Sequence, residues 1–428
     1  MKTVKALFFL STIFFVACSC DRQDNPDVNN MLAELLANKN LFKLQTELNN
    51  NKNNLSESRF LYYEMYCGQA FNNTEKSNDC ADILLKKYKK QLNDTVIAEI
   101  LQVKVDNYIR DYHYKEAADA YSLLLEQYGT VLNDEEIVDY ENMKSLFGTL
   151  AAVKPQQMHK HADVEIKTYR NRFNHLMTPV KCGGLADEFI FDSGANISTI
   201  TDSYAEKMGL TIYESDISVS TTTDVKIKSR LAAADSFYVG DILFENVVFL
   251  VVPAEQMNFP QINYEVHGVV GFLVLYQMEE IRIRNDGRII VTEISENRNL
   301  NNMFLAGLSP VVQLLSDNDT LTCLFDTGAN TSELSKKYYE NHKDEVEQNG
   351  VLQTRSRGGG GGIVEAEEYE LKNFPYTIGT KSSVLPKISV VVQAYDFVEN
   401  FDGNLGQDII TQFNEMILNF KYMYIDFE

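Results

Sequence analysis

Phe189-Ile-Phe-Asp192-Ser193-Gly194-Ala195-Asn196 and Cys323-Leu-Phe-Asp326-Thr327-Gly328-Ala329-Asn330 carry one pattern twice. Each opens on an apolar run, which reads as a buried strand. Asp-Ser/Thr-Gly then makes a tight turn at the strand's end. A carboxylate held at such a turn has a fixed position. Two of them brought together cannot both ionise, so one keeps a proton as an acid and the other serves as a base. A chain that carries both halves can build such a pair by itself.

One Asp-Thr-Gly is weak, because Asp and Gly make ordinary turns. The spacing to a second pair of glycine segments adds weight. Gly268-Val-Val-Gly271-Phe-Leu-Val-Leu lies downstream of Asp192, and Gly403-Asn-Leu-Gly406-Gln-Asp-Ile-Ile lies downstream of Asp326. From the aspartate to the second glycine is 79 residues in the first copy and 80 in the second. Met278-Glu-Glu-Ile-Arg-Ile then parallels Phe413-Asn-Glu-Met-Ile-Leu. A whole lobe is repeated.

On these paired motifs, residues 163–428 resemble the retropepsin-like and pepsin-like aspartic peptidases. The resemblance implies two tandem, mainly β lobes, 163–298 and 299–428, joined in the polar stretch Ser295–Asn302. It implies a catalytic dyad of Asp192 and Asp326, with Ser193 and Thr327 cross-bracing the two loops. Retropepsins usually dimerise, whereas this chain looks like a fused pair, so a monomeric pseudo-dimer is expected. Each lobe should carry a hairpin flap over a peptide substrate. The candidates are Ser220–Asp224, with Thr222 and Thr223, and the run Gly358–Gly362, with Gly359, Gly360 and Gly361. Two departures weaken the equivalence of the lobes. The family often has Asp or Asn two residues after the second glycine, as at Asp408, but the first lobe has Leu273. Glu333 also places a charge where the family usually has a small or polar residue.

The N-terminus reads as a targeting segment. Lys2 and Lys5 precede an apolar run from Ala6 to Ala17, too short for a permanent span. The ending Phe15-Val-Ala-Cys18-Ser-Cys20 resembles the bacterial lipoprotein signal. Residues 1–17 would then be a signal peptide, Cys18 the lipidated residue with Cys20 as its rival, and 18–30 a tether. The expected location is the bacterial cell envelope, with membrane contact through the lipid anchor. That space is oxidising, yet Cys67, Cys80, Cys182 and Cys323 are too scattered for a disulfide scaffold. A Cys67–Cys80 bridge and free buried thiols both remain open.

Residues 31–155 read as helical, with apolar residues at three- and four-residue steps and one proline, Pro155, at the end. Asp79–Tyr88 matches Asp119–Tyr128 at an offset of 40, which resembles tetratricopeptide-like helical hairpins. This region holds no candidate catalytic group and is expected to position or select substrates. From about residue 163 the pattern changes to β-branched runs such as Ile388–Val392. The fold class expected is therefore helical hairpin repeats followed by two mainly β lobes.

The net charge of −22 repels nucleic acid, and no basic cluster offsets it. His159 and His161 lack further ligands, so no metal is expected. No phosphate-binding glycine loop or nucleophile-elbow serine is present, and no cofactor is expected. The expected activity is hydrolysis of peptide bonds by an aspartic endopeptidase. Its alternatives are a catalytically silent peptide binder on the same fold and an adaptor acting through the helical repeats.

Overall fold

The computed structural model describes residues 24–220, 226–317, 319–359, 362–393 and 400–428. Cys18, Cys20, Thr222, Thr223, Gly360 and Gly361 lie outside the described residues. The chain begins with helices and continues as sheets.

The helices are α1 (Pro26–Ala37), α2 (Leu41–Asn50), α3 (Glu57–Ala70), α4 (Thr74–Ile83), α5 (Asp94–Arg110), α6 (Tyr114–Tyr128) and α7 (Asp134–Thr149). Their starts are set by side-chain caps. Asn25, Asn40, Ser56, Asn73, Asn93 and Asn133 each accept a backbone N–H from the first turn, satisfying donors the helix itself leaves unpaired. At Asn133 the bond is reciprocal, with Glu136 accepting the Asn133 N–H at 2.8 Å. Successive helices pack on one another along the chain. Lys39, Asn72 and Tyr112 adopt left-handed backbone at the turns inside three hairpins, with φ of 55°, 58° and 60°.

The helices are docked on the sheets. Leu32, Leu44, Leu48 and Tyr63 share a core with Phe304, Val311, Leu324 and Phe401 of the second lobe. Farther along, Tyr114, Leu124, Leu146, Phe147 and Leu150 join the main core, which runs on into the first lobe. Polar bonds fix the alignment. Asn72 Nδ2 donates to the Phe420 carbonyl at 2.7 Å, and Tyr112 Oη donates to the Leu273 carbonyl at 2.8 Å.

Each lobe is built on its own sheet. In the first, the strand Leu185–Phe191 lies parallel to Gly268–Val270, pairing Ile190 with Val269 and Phe191 with Val270. Ser198–Thr201 runs antiparallel to the same short strand. In the second, Asp319–Phe325 lies parallel to Gly403–Leu405, and Glu333–Leu334 runs antiparallel to it. The glycine segment thus passes between the two arms that flank each aspartate, and Glu333 belongs to that framework. Gly268 and Gly403 are required by close approach. A Cβ on Gly268 would sit 2.4 Å from the Phe189 ring, and one on Gly403 would sit 2.4 Å from the Glu333 carbonyl oxygen.

A third sheet joins the lobes, in the order Val164–Lys167, Arg288–Val291, Glu280–Arg284, Glu415–Asn419, Tyr424–Phe427. Its central pair comes from the repeated Met278 and Phe413 segments. These pair antiparallel with each other, Ile281 opposite Leu418 and Ile283 opposite Met416. Their side chains are wholly or almost wholly buried. Arg282 and Arg284 both reach Glu415 across the junction.

Among the described residues, Cys67, Cys80, Cys182 and Cys323 are all buried free thiols. His159 is paired with Glu245 at 3.4 Å on an exposed edge.

Candidate active site

Asp192 and Asp326 sit at equivalent ends of their strands. The Asp192 N–H donates to the Val270 carbonyl at 3.0 Å, and the Asp326 N–H to the Leu405 carbonyl at 2.9 Å. Within each turn, two further N–H groups orient the carboxylate. Gly194 and Ala195 donate to Asp192 Oδ1 at 2.7 and 3.1 Å. Gly328 and Ala329 donate to Asp326 Oδ1 at the same 2.7 and 3.1 Å. One oxygen of each carboxylate is thereby committed to the backbone, and the other is left for a partner.

The partner is the opposite lobe. A Cβ on Gly194 would stand 2.5 Å from Asp326 Cγ, and a Cβ on Gly328 would stand 2.3 Å from Asp192 Cγ. Each glycine is the floor against which the other lobe's carboxylate rests. Burial, the Asp326 charge and a hydrogen bond with Asp326 together push the Asp192 carboxyl well above its usual range, against the pull of the Gly194 and Ala195 N–H groups. Both aspartates retain a partly exposed face.

Ser193 and Thr327 are fully buried and lock the two turns together. The Ser193 N–H donates to Thr327 Oγ1 at 2.9 Å, and Thr327 Oγ1 donates to the Phe191 carbonyl at 2.8 Å. The mirror-related bonds run from the Thr327 N–H to Ser193 Oγ at 3.0 Å and from Ser193 Oγ to the Phe325 carbonyl at 2.9 Å. A hydroxyl is the smallest group that accepts and donates at once. That is why Ser or Thr, rather than Ala or Val, follows each aspartate.

Sequence reasoning passed over Ser198 and Ser332. Each lies six residues after its aspartate, so aligning the two copies would have exposed them. Ser198 Oγ accepts the Gly271 N–H at 3.0 Å, and Ser332 Oγ accepts the Gly406 N–H at 2.9 Å. In the second lobe Asp408 completes this support, accepting from the Ser332 hydroxyl at 2.6 Å. Leu273 stands at that place in the first lobe. It is buried, and its carbonyl receives Tyr112 and Gln156 from the helical side. Side chains from the helical side thus bond the main chain at the position where the first lobe lacks the carboxylate.

Three more residues near the dyad had no sequence signal. Gln407 Nε2 donates to the Thr327 carbonyl, and Arg170 of the first lobe donates to Gln407 Oε1. The turn after Arg170 carries His175, whose Nδ1 lies 2.8 Å from Tyr264 Oη. Burial pushes this imidazole below its usual range, and the nearby Asp326 charge opposes that shift.

The flap segments are partly described. Strands Thr211–Ser220 and Lys226–Ala234 form a hairpin in the first lobe, and its connection, with Thr222 and Thr223, lies outside the described residues. In the second lobe Val351–Gly359 pairs with Gly362–Ile378, bringing Gly359 opposite Gly362. Among the described residues, no group of His, Cys, Asp and Glu is arranged to hold a metal ion.

Residues 178–272 match the family model described as Aspartyl protease. That segment spans the first motif turn, the first hairpin and the Gly268–Gly271 segment, so this part of the chain is aspartyl-protease-like. No curated protein matches the chain. Among solved structures, conglutin gamma, "a unique basic 7S globulin from lupine seeds", is similar at 10% identity and a TM-score of 0.39, covering 62% of this chain and 94% of that one. A likeness of that size says nothing about activity.

Proposed function

We propose that the chain is an aspartic endopeptidase whose active unit is a single chain. The observation that carries this reading is the pair of carboxylates, each resting on the other lobe's glycine and each bonded through the same oxygen to its own turn. Burial and the facing carboxylate raise the Asp192 carboxyl, as expected of a pair that shares one proton. In the mechanism this supports, whichever of Asp192 and Asp326 is charged takes a proton from a water held between the two. The protonated one gives its proton to the scissile carbonyl oxygen as the water oxygen adds to the carbonyl carbon. The tetrahedral adduct then collapses. Its C–N bond breaks as the amine nitrogen takes the proton held by the first carboxyl and a hydroxyl proton returns to the second. The N–H groups of Gly194, Ala195, Gly328 and Ala329 keep both carboxylates in place through the step. No covalent intermediate is required. The substrate would lie extended beneath the hairpins and pair with their edges as an added strand.

The test is turnover of an unbiased peptide library by wild type, Asp192→Asn and Asp326→Asn. Wild type is expected to cleave, and each variant to lose all detectable turnover while keeping its fold. Substantial activity in either variant would refute the shared-proton mechanism. A wild type that binds peptides but cleaves none would establish the silent binder instead.

A further inference from the structure

The outermost strand of the first lobe's sheet, Thr211–Ser220, is paired on one side only, with Lys226–Ala234. An edge strand leaves a row of N–H and C=O groups without ladder partners. Here one residue of α7 takes the place of the missing neighbour. Asn142 Nδ2 donates to the Ser218 carbonyl at 2.8 Å, and Asn142 Oδ1 accepts the Ser218 N–H at 2.9 Å. This is the pair of bonds that a residue of an adjoining strand would make. Ser218 stands opposite Lys228 with its own N–H and C=O turned toward α7, so these groups would face water without Asn142.

The contact is packed as well as bonded. Ile217 is fully buried and shares a core with Leu146 and Phe147 of α7 and with Leu150 just after it. α7 is held in turn by α6. Phe147 stacks on Tyr121 and Tyr114 of α6, and Tyr140 lies against Tyr121. The Tyr112 bond to the Leu273 carbonyl ties the turn before α6 back to the segment behind the dyad. Ser218 is two residues from the end of its strand, so the clamp grips the hairpin close to its connection. The second lobe's hairpin has a different outer edge, with Val351 and Leu352 at its base 58% and 52% exposed.

We propose that the helical domain clamps the first lobe's flap through Asn142, which makes Asn142 a positioning residue for peptide binding. The clamp follows from the geometry alone, whereas its consequence for peptides rests on the peptidase reading. A hairpin strand held from outside keeps its paired residues in one position, so a substrate pairing with that hairpin meets a preformed edge. Releasing it adds an ordering cost to binding while leaving the dyad untouched.

The experiment uses the full chain, as wild type and Asn142→Ala, with residue-resolved amide exchange and steady-state cleavage of a library-derived peptide. In wild type the Ser218 amide should be protected, although it faces away from its paired strand. In Asn142→Ala that protection should fall about tenfold or more, because a lost pair of hydrogen bonds is worth about that factor. KM should rise several-fold, with kcat changed less. An unprotected Ser218 amide in wild type would overturn the clamp, and that measurement stands even if the variant does not fold. Unchanged exchange in Asn142→Ala would overturn it too. Faster exchange with an unchanged KM would refute the positioning role. A wild type that cleaves nothing refutes the peptidase reading and the role toward peptides together, while the exchange result still decides whether the clamp exists.

Discussion

Gly194→Ala adds one methyl group and leaves both aspartates, both hydroxyls and every charge in place. The new Cβ would stand 2.5 Å from Asp326 Cγ and 2.6 and 2.7 Å from its two oxygens. Carbon atoms rest at about 3.5–4.0 Å, so the Asp326 carboxylate would have to retreat by roughly 1 Å. It cannot do so freely. Its Oδ1 is held by the Gly328 and Ala329 N–H groups at 2.7 and 3.1 Å, and the turn below is bonded through Thr327 to Ser193. Overpacking of this kind costs about 1–3 kcal/mol of stability. A misplacement of about 1 Å at a reacting group costs on the order of a hundredfold in rate. We therefore expect kcat/KM on a peptide to fall about a hundredfold or more, with a modest loss of thermal stability. The control is Gly148→Ala in α7, where the added Cβ meets nothing within 4 Å. That change should leave turnover alone and leave stability equal or higher by up to about 1 kcal/mol. A Gly194→Ala chain that turns over within a few-fold of wild type would refute the argument that each carboxylate rests on the opposite glycine.

Thr327→Ala removes an acceptor from the Ser193 N–H and a donor from the Phe191 carbonyl, both buried. It should cost about 1–3 kcal/mol in denaturant unfolding and lower turnover, whereas Thr327→Ser should restore most of both; equal stability of the Ala and Ser variants would show that the methyl, not the hydroxyl, matters. The raised carboxyl of Asp192 also predicts how stability depends on pH. A group whose folded value lies above its unfolded value of about 3.9 contributes fully below that value, and the contribution is lost as pH rises through the folded one. Wild type should therefore lose stability over that window, and Asp192→Asn should lose less; coincident melting profiles of the two across pH 3–8 would contradict the assignment.

Some of this protein was legible in its sequence because the signals are local or repeated. An Asp-Ser/Thr-Gly at the end of an apolar run specifies a strand and a turn wherever it occurs. Two copies spaced 79 and 80 residues from their glycine partners specify a repeated lobe. The change from helical periodicity to β-branched runs marked where helices give way to sheets. The serines six residues after each aspartate were within reach too, because they repeat with the motifs.

What the sequence could not show depends on which surfaces meet. Leu273 reads as a lapse from the pattern of Asp408, yet it is the place where Tyr112 and Gln156 dock. Asn142 is one of many asparagines in the helical region, and Ser218 one serine in a β-branched run. Their bond joins residues 76 apart. Arg170 and Gln407, separated by 237 positions, are joined in the same way. Periodicity and turn chemistry act over a few residues, because backbone sterics and local hydrogen bonds do. The docking of helices on lobes is decided by the complementarity of whole buried faces, such as Phe42 against Phe304, and no short stretch of either partner contains that information.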